Sequence, residues 1–195
     1  MDEEMKEFEK YAKEKNIPIM MRDSIEYIMR RIKLFHLNNV LEIGTAIGYS
    51  AINFALSSSS VKVTTIEKDN TRFLDAIKNV NKFGLSSKIQ LIFNDALEVR
   101  LPEKYNLIVI DAAKGKNQEF FDKFKYNLED NGFIIIDNIN FHGLVGKSED
   151  IESKNVKKMV EKIESFIEYL KNQTDFYVEF VETGDGLAVC QKKIQ

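Results

Sequence analysis

The sequence predicts an α/β fold: an open, mostly parallel sheet of seven strands, with helices on both faces and an antiparallel C-terminal hairpin. Three observations carry this. Five short apolar runs are nearly continuous, which is how strands buried on both faces read. Helix-like segments separate most of them, the alternation of a parallel sheet. The last two runs are joined instead by Thr183-Gly184-Asp185-Gly186, which is turn chemistry.

Taken in order, Met1 to Lys15 reads as a short charged helix. Ile25, Ile28, Met29 and Ile32 then recur at i, i+3, i+4, i+7, one apolar stripe with Arg30, Arg31 and Lys33 mostly off it. After residue 35 the period changes. Val40 to Gly44, Val61 to Glu67, Ile89 to Phe93, Leu107 to Asp111 and Phe133 to Asp137 are the five buried strands. Helices fall at about Ser50 to Leu56, Thr71 to Phe83 and Gln118 to Leu128, and Ser57 to Ser60 is a loop. Val156, Val160, Ile163, Ile167 and Leu170 mark a long amphipathic helix before the strands Phe176 to Val181 and Leu187 to Cys190. The reading is a single domain, with residues 1–35 a helical cover and 36–195 the binding and catalytic core.

Composition narrows the function classes. A chain of 195 residues supports one ordinary domain, and 44% hydrophobic with 30% charged residues excludes a wholly disordered chain. With 28 Lys+Arg against 31 Asp+Glu, a formal charge of −3 excludes nucleic-acid binding by bulk positive charge. Recognition of a single exposed nucleotide stays open. One cysteine, Cys190, makes neither an internal disulfide nor a Cys-rich metal site. No apolar run is long enough to span a membrane, and the N-terminus lacks the apolar core of a signal peptide, so the expectation is a soluble cytoplasmic protein.

Open α/β sheets bind ligands outside the carboxyl ends of their strands. Three strands end there in acids, Glu67, Asp111 and Asp137, and Glu42 sits just before the glycine that ends the first. One such acid is as well read as polar strand termination; several on one edge favour a site. In Glu42-Ile43-Gly44-Thr45-Ala46-Ile47-Gly48-Tyr49-Ser50, Gly44 permits a sharp turn and Gly48 a close backbone approach. This is not the G-x-G-x-x-G dinucleotide fingerprint. Glu42 suits a positively charged ligand better than a phosphate, which points to a cationic, adenosine-containing cofactor. Glu67, some twenty residues on, can accept both ribose hydroxyls. Asp95, in Asn94-Asp95-Ala96, reads either as an acceptor for an exocyclic amine or as a helix N-cap.

Asp111 and the pair Asp137-Asn138 offer three oxygen donors on neighbouring strand ends, a set that suits Mg²⁺ or another hard divalent cation and disfavours zinc. Lys114, three residues after Asp111, reads either as a solvated loop lysine or as a base, since a lysine beside a metal cation has a lowered pKa. His36 reads as surface or packing, His142 as lining a loop near the metal, and Cys190 as buried. Met20-Met21 either covers the cofactor mouth or staples the following helix.

With these residues in view, the chain resembles the class I S-adenosylmethionine-dependent methyltransferases. Within them it is similar to the metal-dependent O-methyltransferases of the catechol and caffeoyl-CoA type. The match rests on Leu41 to Ser50, Ile110 to Gly115, Asp137 to Gly143 and Gly184 to Ala188, which span nearly the whole chain. Pro18-Ile19-Met20, Asp111 to Gly115 and Phe141 to Val145 look like a bacterial branch, the tRNA 5-hydroxyuridine methyltransferases. The resemblance implies a Rossmann-like class I methyltransferase fold. It implies cofactor contacts at Met20, Glu42, Gly44, Thr45, Gly48, Tyr49, Ser50, Glu67, Asp95, Ala96 and Asp111. It also implies metal ligation by Asp111, Asp137 and Asn138, with Asp111 and Lys114 catalytic. Relatives carry a longer helical segment before Pro18 that covers substrate and builds a homodimer. Glu182 matches a substrate-orienting acid of the catechol enzymes.

The expected reaction is transfer of a methyl group from S-adenosylmethionine to the 5-hydroxyl of wobble 5-hydroxyuridine, with the tRNA anticodon loop as partner and a second subunit aiding its grip. The competing readings are a small catechol-type phenol as substrate, or a cofactor-binding protein without catalysis. A basic approach to the crevice would separate the first two, with Arg22, Arg30, Arg31, Lys33, Lys114, Lys116 and Lys147 as candidates.

Overall fold

In the computed structural model, which describes residues 2–194, α1 (Asp2–Glu14) and α2 (Arg22–Leu34) precede a seven-stranded sheet. Met1, where the sequence reading starts the first helix, lies outside the described residues. The strands are β1 (Asn39–Ile43), β2 (Lys62–Glu67), β3 (Ile89–Phe93), β4 (Tyr105–Ile110), β5 (Leu128–Asp137), β6 (Phe176–Val181) and β7 (Leu187–Lys192). Between them run α3 (Tyr49–Leu56), α4 (Asn70–Lys82), α5 (Asn117–Phe124) and α6 (Lys154–Lys171). The spatial order is β3-β2-β1-β4-β5-β7-β6. β1 to β5 are parallel; β7 pairs antiparallel with β5 and with β6.

The continuous apolar runs produce two cores because side chains alternate across a strand. Val40, Leu107, Val109, Phe133 and Ile135 point to one face and meet Phe8, Ile28, Ile52 and Val80 of α1 to α4. Leu41, Ile108, Ile110, Ile134 and Ile136 point to the other and meet Phe121 and Phe124 of α5 and Phe166 and Leu170 of α6. The cover helices thus share a core with the sheet. Phe8 and Ala12 of α1 and Ile25, Ile28 and Ile32 of α2 are all buried in it.

One boundary is corrected. The helix read over Gln118 to Leu128 stops at Phe124, and β5 starts at Leu128 rather than Phe133. Leu128 pairs with Tyr105, and the register then shifts across Glu129-Asp130-Asn131-Gly132, with Asn131 in the left-handed region. Turn residues that read as a break are an irregularity inside the strand.

The strand order switches direction between the parallel neighbours β1 and β4, and this opens the crevice at their carboxyl ends. Ile135 anchors this region, fully buried in the strand that joins parallel and antiparallel parts. Ile135→Ala is expected to cost about 2–5 kcal/mol. Urea denaturation would show this as a lower midpoint at unchanged slope.

Candidate active site

A cleft of about 620 Å³ lies on this edge, walled by the loops after β1, β2, β3, β4 and β5 and by residues 18–21. The β1–α3 turn forms its floor. Gly44 has φ +101°, and a Cβ there would collide with the backbone oxygen of Asp111, so β1 and β4 come together only through glycine. Gly48, φ +87°, opens α3. Its own atoms do not line the cleft, whereas Gly44, Thr45, Tyr49 and Ser50 do.

Glu42 lies one layer below. It is fully buried and is held by the Thr65 hydroxyl at 2.5 Å and by Ser50. Thr45, on the cleft wall, contacts the Thr65 hydroxyl at 2.6 Å, so a short chain of hydroxyls links the cleft to this acid. Burial, against those hydrogen bonds and with added repulsion from Asp111 and Glu67, pushes Glu42 up to about 8. One of its oxygens has no partner among the described residues.

Glu67 is clamped by backbone. It accepts the N–H of Ala46 at 2.8 Å, of Lys68 at 2.9 Å and of Asp69 at 2.8 Å, while still lining the cleft. Asp95 serves two ends at once. One oxygen accepts Leu97 N–H at 2.9 Å and the other lies 3.4 Å from Lys68 Nζ. No helix follows, so Asp95 caps a turn and is not the helix N-cap that the sequence offered as its alternative; it lines the cleft beside Ala96.

Asp111, Lys114 and Asn138 line the far wall. Lys114 Nζ donates to Asp111 Oδ1 at 2.6 Å and reaches the Asp137 carbonyl at 3.5 Å. Asp137 is fully buried behind them; its Oδ1 accepts the Ser24 hydroxyl at 3.2 Å, and its Oδ2 has no partner among the described residues. Burial and the nearby Asp111 charge hold Asp137 well above the usual carboxylate range. Asn138 takes a left-handed φ of 60°, turning the chain as it leaves β5. The Lys114 ammonium is thus shared by the Asp111 carboxylate and the Asp137 backbone carbonyl, Asn138 lines the same wall, and a buried Asp137 carboxylate oxygen behind them lacks a donor among the described residues. This donor set fits a hard divalent cation.

Met20 is buried and lines the cleft with Pro18, Ile19 and Met21. His142 also lines it, backed by Asp185, which accepts its backbone N–H at 2.7 Å. His36 is exposed and Cys190 is buried, its thiol pushed up to about 12.

The candidate basic approach is largely dispersed. Arg31 is tied to Tyr27 and Glu179 and lies over the Phe133 ring. Phe133 is four residues below the crevice end of β5, roughly 13 Å away at strand rise. Arg31, with its helix neighbours Arg30 and Lys33, therefore sits toward the opposite end of the sheet. Arg22 pairs with Glu26 and Glu9. Lys114 faces inward to Asp111, Lys116 ends a short 3-10 turn after β4, and Lys147 lies on the loop after β5; neither Lys116 nor Lys147 lines the cleft. Sequence reading overlooked the cleft residues Lys68, Arg72, Phe120 and Asp185 and the supporting Ser24 and Thr65. Thr65 is β-branched inside a strand and so reads as a strand former. Arg72 and Lys68 flank a helix start, which was the available signal.

A doubly wound sheet whose strand-end cleft is lined by acids and opened by a glycine turn defines a Rossmann-like, class I methyltransferase architecture. A family model described as O-methyltransferase matches residues 1–193, and the chain belongs to that family. Membership makes it an enzyme of the methyl-transferring class. A Populus kitakamiensis caffeoyl-CoA O-methyltransferase is 26% identical over 180 residues, covering 87% of this chain and 76% of the relative. A Niastella koreensis catechol O-methyltransferase is 30% identical over 62% of this chain and 58% of its own. Among solved structures, a Staphylococcus aureus protein described as a caffeoyl-CoA O-methyltransferase superposes with a TM-score of 0.92 at 34% identity, covering 96% of this chain and 91% of the other. A Bacillus cereus O-methyltransferase in complex with SAH, 23% identical, shares the fold with a TM-score of 0.82 over 99% and 92% of the two chains. No helix among the described residues is long and apolar enough to cross a membrane.

Glu42 gives a pH test. In the ligand-free protein its folded form keeps a proton up to about 8, while its unfolded form releases it near 4.5. The folded state holds more protons across that window, so the stability Glu42 contributes falls as pH rises through it. Glu42→Gln lacks this loss. Its melting temperature relative to wild type is expected to climb between pH 4.5 and pH 8, measured by differential scanning calorimetry.

Proposed function

We propose that this protein uses S-adenosylmethionine and a divalent cation to methylate a hydroxyl that has a second oxygen beside it, on wobble 5-hydroxyuridine in a tRNA anticodon loop. The observation that carries the chemistry is Asp111, Asn138 and Lys114 together at one wall of an acid-lined cleft, with Asp137 buried behind them and its carbonyl within reach of Lys114. The tRNA substrate is supported by the motifs Pro18-Ile19-Met20 and Phe141 to Val145 and by where they sit. Phe141 and His142 form a tilted ring pair, centroids 5.6 Å apart, on a loop at the cleft, and Lys147 follows on the same loop. Such rings can stack on a splayed base.

S-adenosylmethionine, when bound, supplies a methyl group on a positively charged sulfur. A divalent cation, when held by Asp111, Asp137 and Asn138, supplies the charge that acidifies a hydroxyl placed near it. The chain does the rest. Glu67 and Asp95 face the cleft as acceptors for ribose hydroxyls and an exocyclic amine, with Met20, Gly44, Thr45, Tyr49, Ser50 and Ala96 as the surrounding wall. Ser24 and the strand end fix the Asp137 carboxylate. Lys114 Nζ, an ammonium paired with Asp111 in the ligand-free chain, is the residue we assign to receive the substrate hydroxyl's proton, once a cation on Asp111 has displaced it and it has given its own proton to solvent. Apolar residues 18–21 and Phe120 keep water from the reacting atoms.

A small catechol-type phenol is the second reading. The pairing of Arg22 and Arg31 with acids and the apolar rim favour it, and so do the names of the plant and Niastella relatives. We assign the enzyme to the cytoplasm, where charged tRNA is found, and to a homodimer that widens its tRNA contact.

Nucleoside mass spectrometry of tRNA from cells lacking the gene is expected to show 5-methoxyuridine lost and 5-hydroxyuridine accumulated. Unchanged tRNA would move the assignment to the small phenol. Asp137→Asn is expected to lower turnover by at least the roughly 10–100-fold that losing a metal's outer partner costs. Calorimetry should find S-adenosylhomocysteine binding nearly unchanged, and full turnover of the variant in chelator would remove the metal from the scheme.

A further inference from the structure

Tyr49 is buried, forms part of the cleft wall and opens α3. Its hydroxyl does not end in the cleft machinery. It donates to Glu9 Oε1 on α1 at 2.5 Å. The Phe8 ring meets the Tyr49 ring edge-on with centroids 5.5 Å apart, and Phe8 in turn stacks on Phe83 at 6.1 Å. Glu9 also lies 3.9 Å from Arg22 Nη1, and Arg22 directly follows the cleft-lining segment 18–21. One carboxylate therefore joins α1, the start of α2 and the start of α3 around one side of the cleft.

This arrangement has a physical consequence. A buried phenol needs an acceptor, and Glu9 is the acceptor it has. Burial and the Glu9 carboxylate push the Tyr49 phenol upward, so it stays a neutral donor. With its oxygen fixed by Glu9 and its ring edge by Phe8, the side chain is held in one rotamer. The next residue, Ser50, lines the cleft and hydrogen-bonds Glu42. Loss of the Glu9 acceptor would free Tyr49 to turn toward water, and the wall it forms would move with it.

We propose that Glu9 is a positioning residue for the cofactor pocket, acting from the N-terminal helix through the Tyr49 hydroxyl. This rests on the reading of the cleft as the S-adenosylmethionine site. α1 then belongs to the binding site and is more than a cover on the core.

The test is calorimetric titration of S-adenosylhomocysteine into wild type, Glu9→Ala, Glu9→Gln, Tyr49→Phe and the Glu9→Ala/Tyr49→Phe pair. Glu9→Ala and Tyr49→Phe are each expected to weaken binding roughly three- to tenfold, the range of one net hydrogen bond. The double variant should bind no more weakly than either single one, because both remove the same link. Glu9→Gln keeps an acceptor oxygen and should stay within about twofold of wild type. A purely structural Glu9 gives another pattern: Glu9→Ala lowers the melting temperature and leaves affinity unchanged, which overturns the proposal. Losses that multiply in the double variant overturn it too. Wild type that binds no S-adenosylhomocysteine sinks the cofactor reading itself, and this outcome is distinct from either pattern above.

Discussion

Four carboxylates meet at the carboxyl edge of one parallel sheet, and their mutual repulsion in a partly dry crevice is the constraint around which the site is arranged. Glu42 and Asp137 are fully buried, and both are held protonated well beyond the ordinary range by burial and by neighbouring acids. Each meets this in its own way. Glu42 leans on the Thr65 and Ser50 hydroxyls, Glu67 on three backbone N–H groups, and Asp137 on Ser24. Asp111 takes the ammonium of Lys114. Oxygens on Glu42 and Asp137 still lack partners among the described residues. The occupants we propose for this site, a sulfonium cofactor and a divalent metal, are both cationic and would offset that repulsion.

The fold supplies the convergence without help from sequence neighbours. Asp111 and Asp137 come together because β4 and β5 lie side by side in register, Ile110 beside Ile136. Glu42 joins them because β1 pairs with β4 on the other side. Gly44 is what permits β1 and β4 to end so close. The cover helices extend the same principle from outside the sheet, since Ser24 of α2 reaches Asp137 and Glu9 of α1 reaches Tyr49.

Strand identity was legible because both-face burial leaves runs such as Leu107 to Ile110 without polar interruption. The strand-end acids were legible for the same reason, since an acid after such a run stands out. The start of β5 was not, because Glu129-Asp130-Asn131-Gly132 reads as a turn whether it ends a strand or distorts one. Charge placement along α2 was not legible either. Periodicity separates the faces of a helix but does not tell which end lies at the crevice, so Arg31 was grouped with residues at the other end of the sheet. Long-range polar links such as Glu9 to Tyr49 and His142 to Asp185 join residues with no shared period or motif, and only the folded chain reveals them.

The most direct measurement is single-turnover transfer of labelled methyl from S-adenosylmethionine to an anticodon stem–loop carrying 5-hydroxyuridine, run with magnesium and with chelator. Label recovered as 5-methoxyuridine with magnesium, and lost in chelator, is the expected result. Equal labelling in chelator, or no labelling of the stem–loop or of a catechol under either condition, would contradict a crevice built to gather cations for methyl transfer.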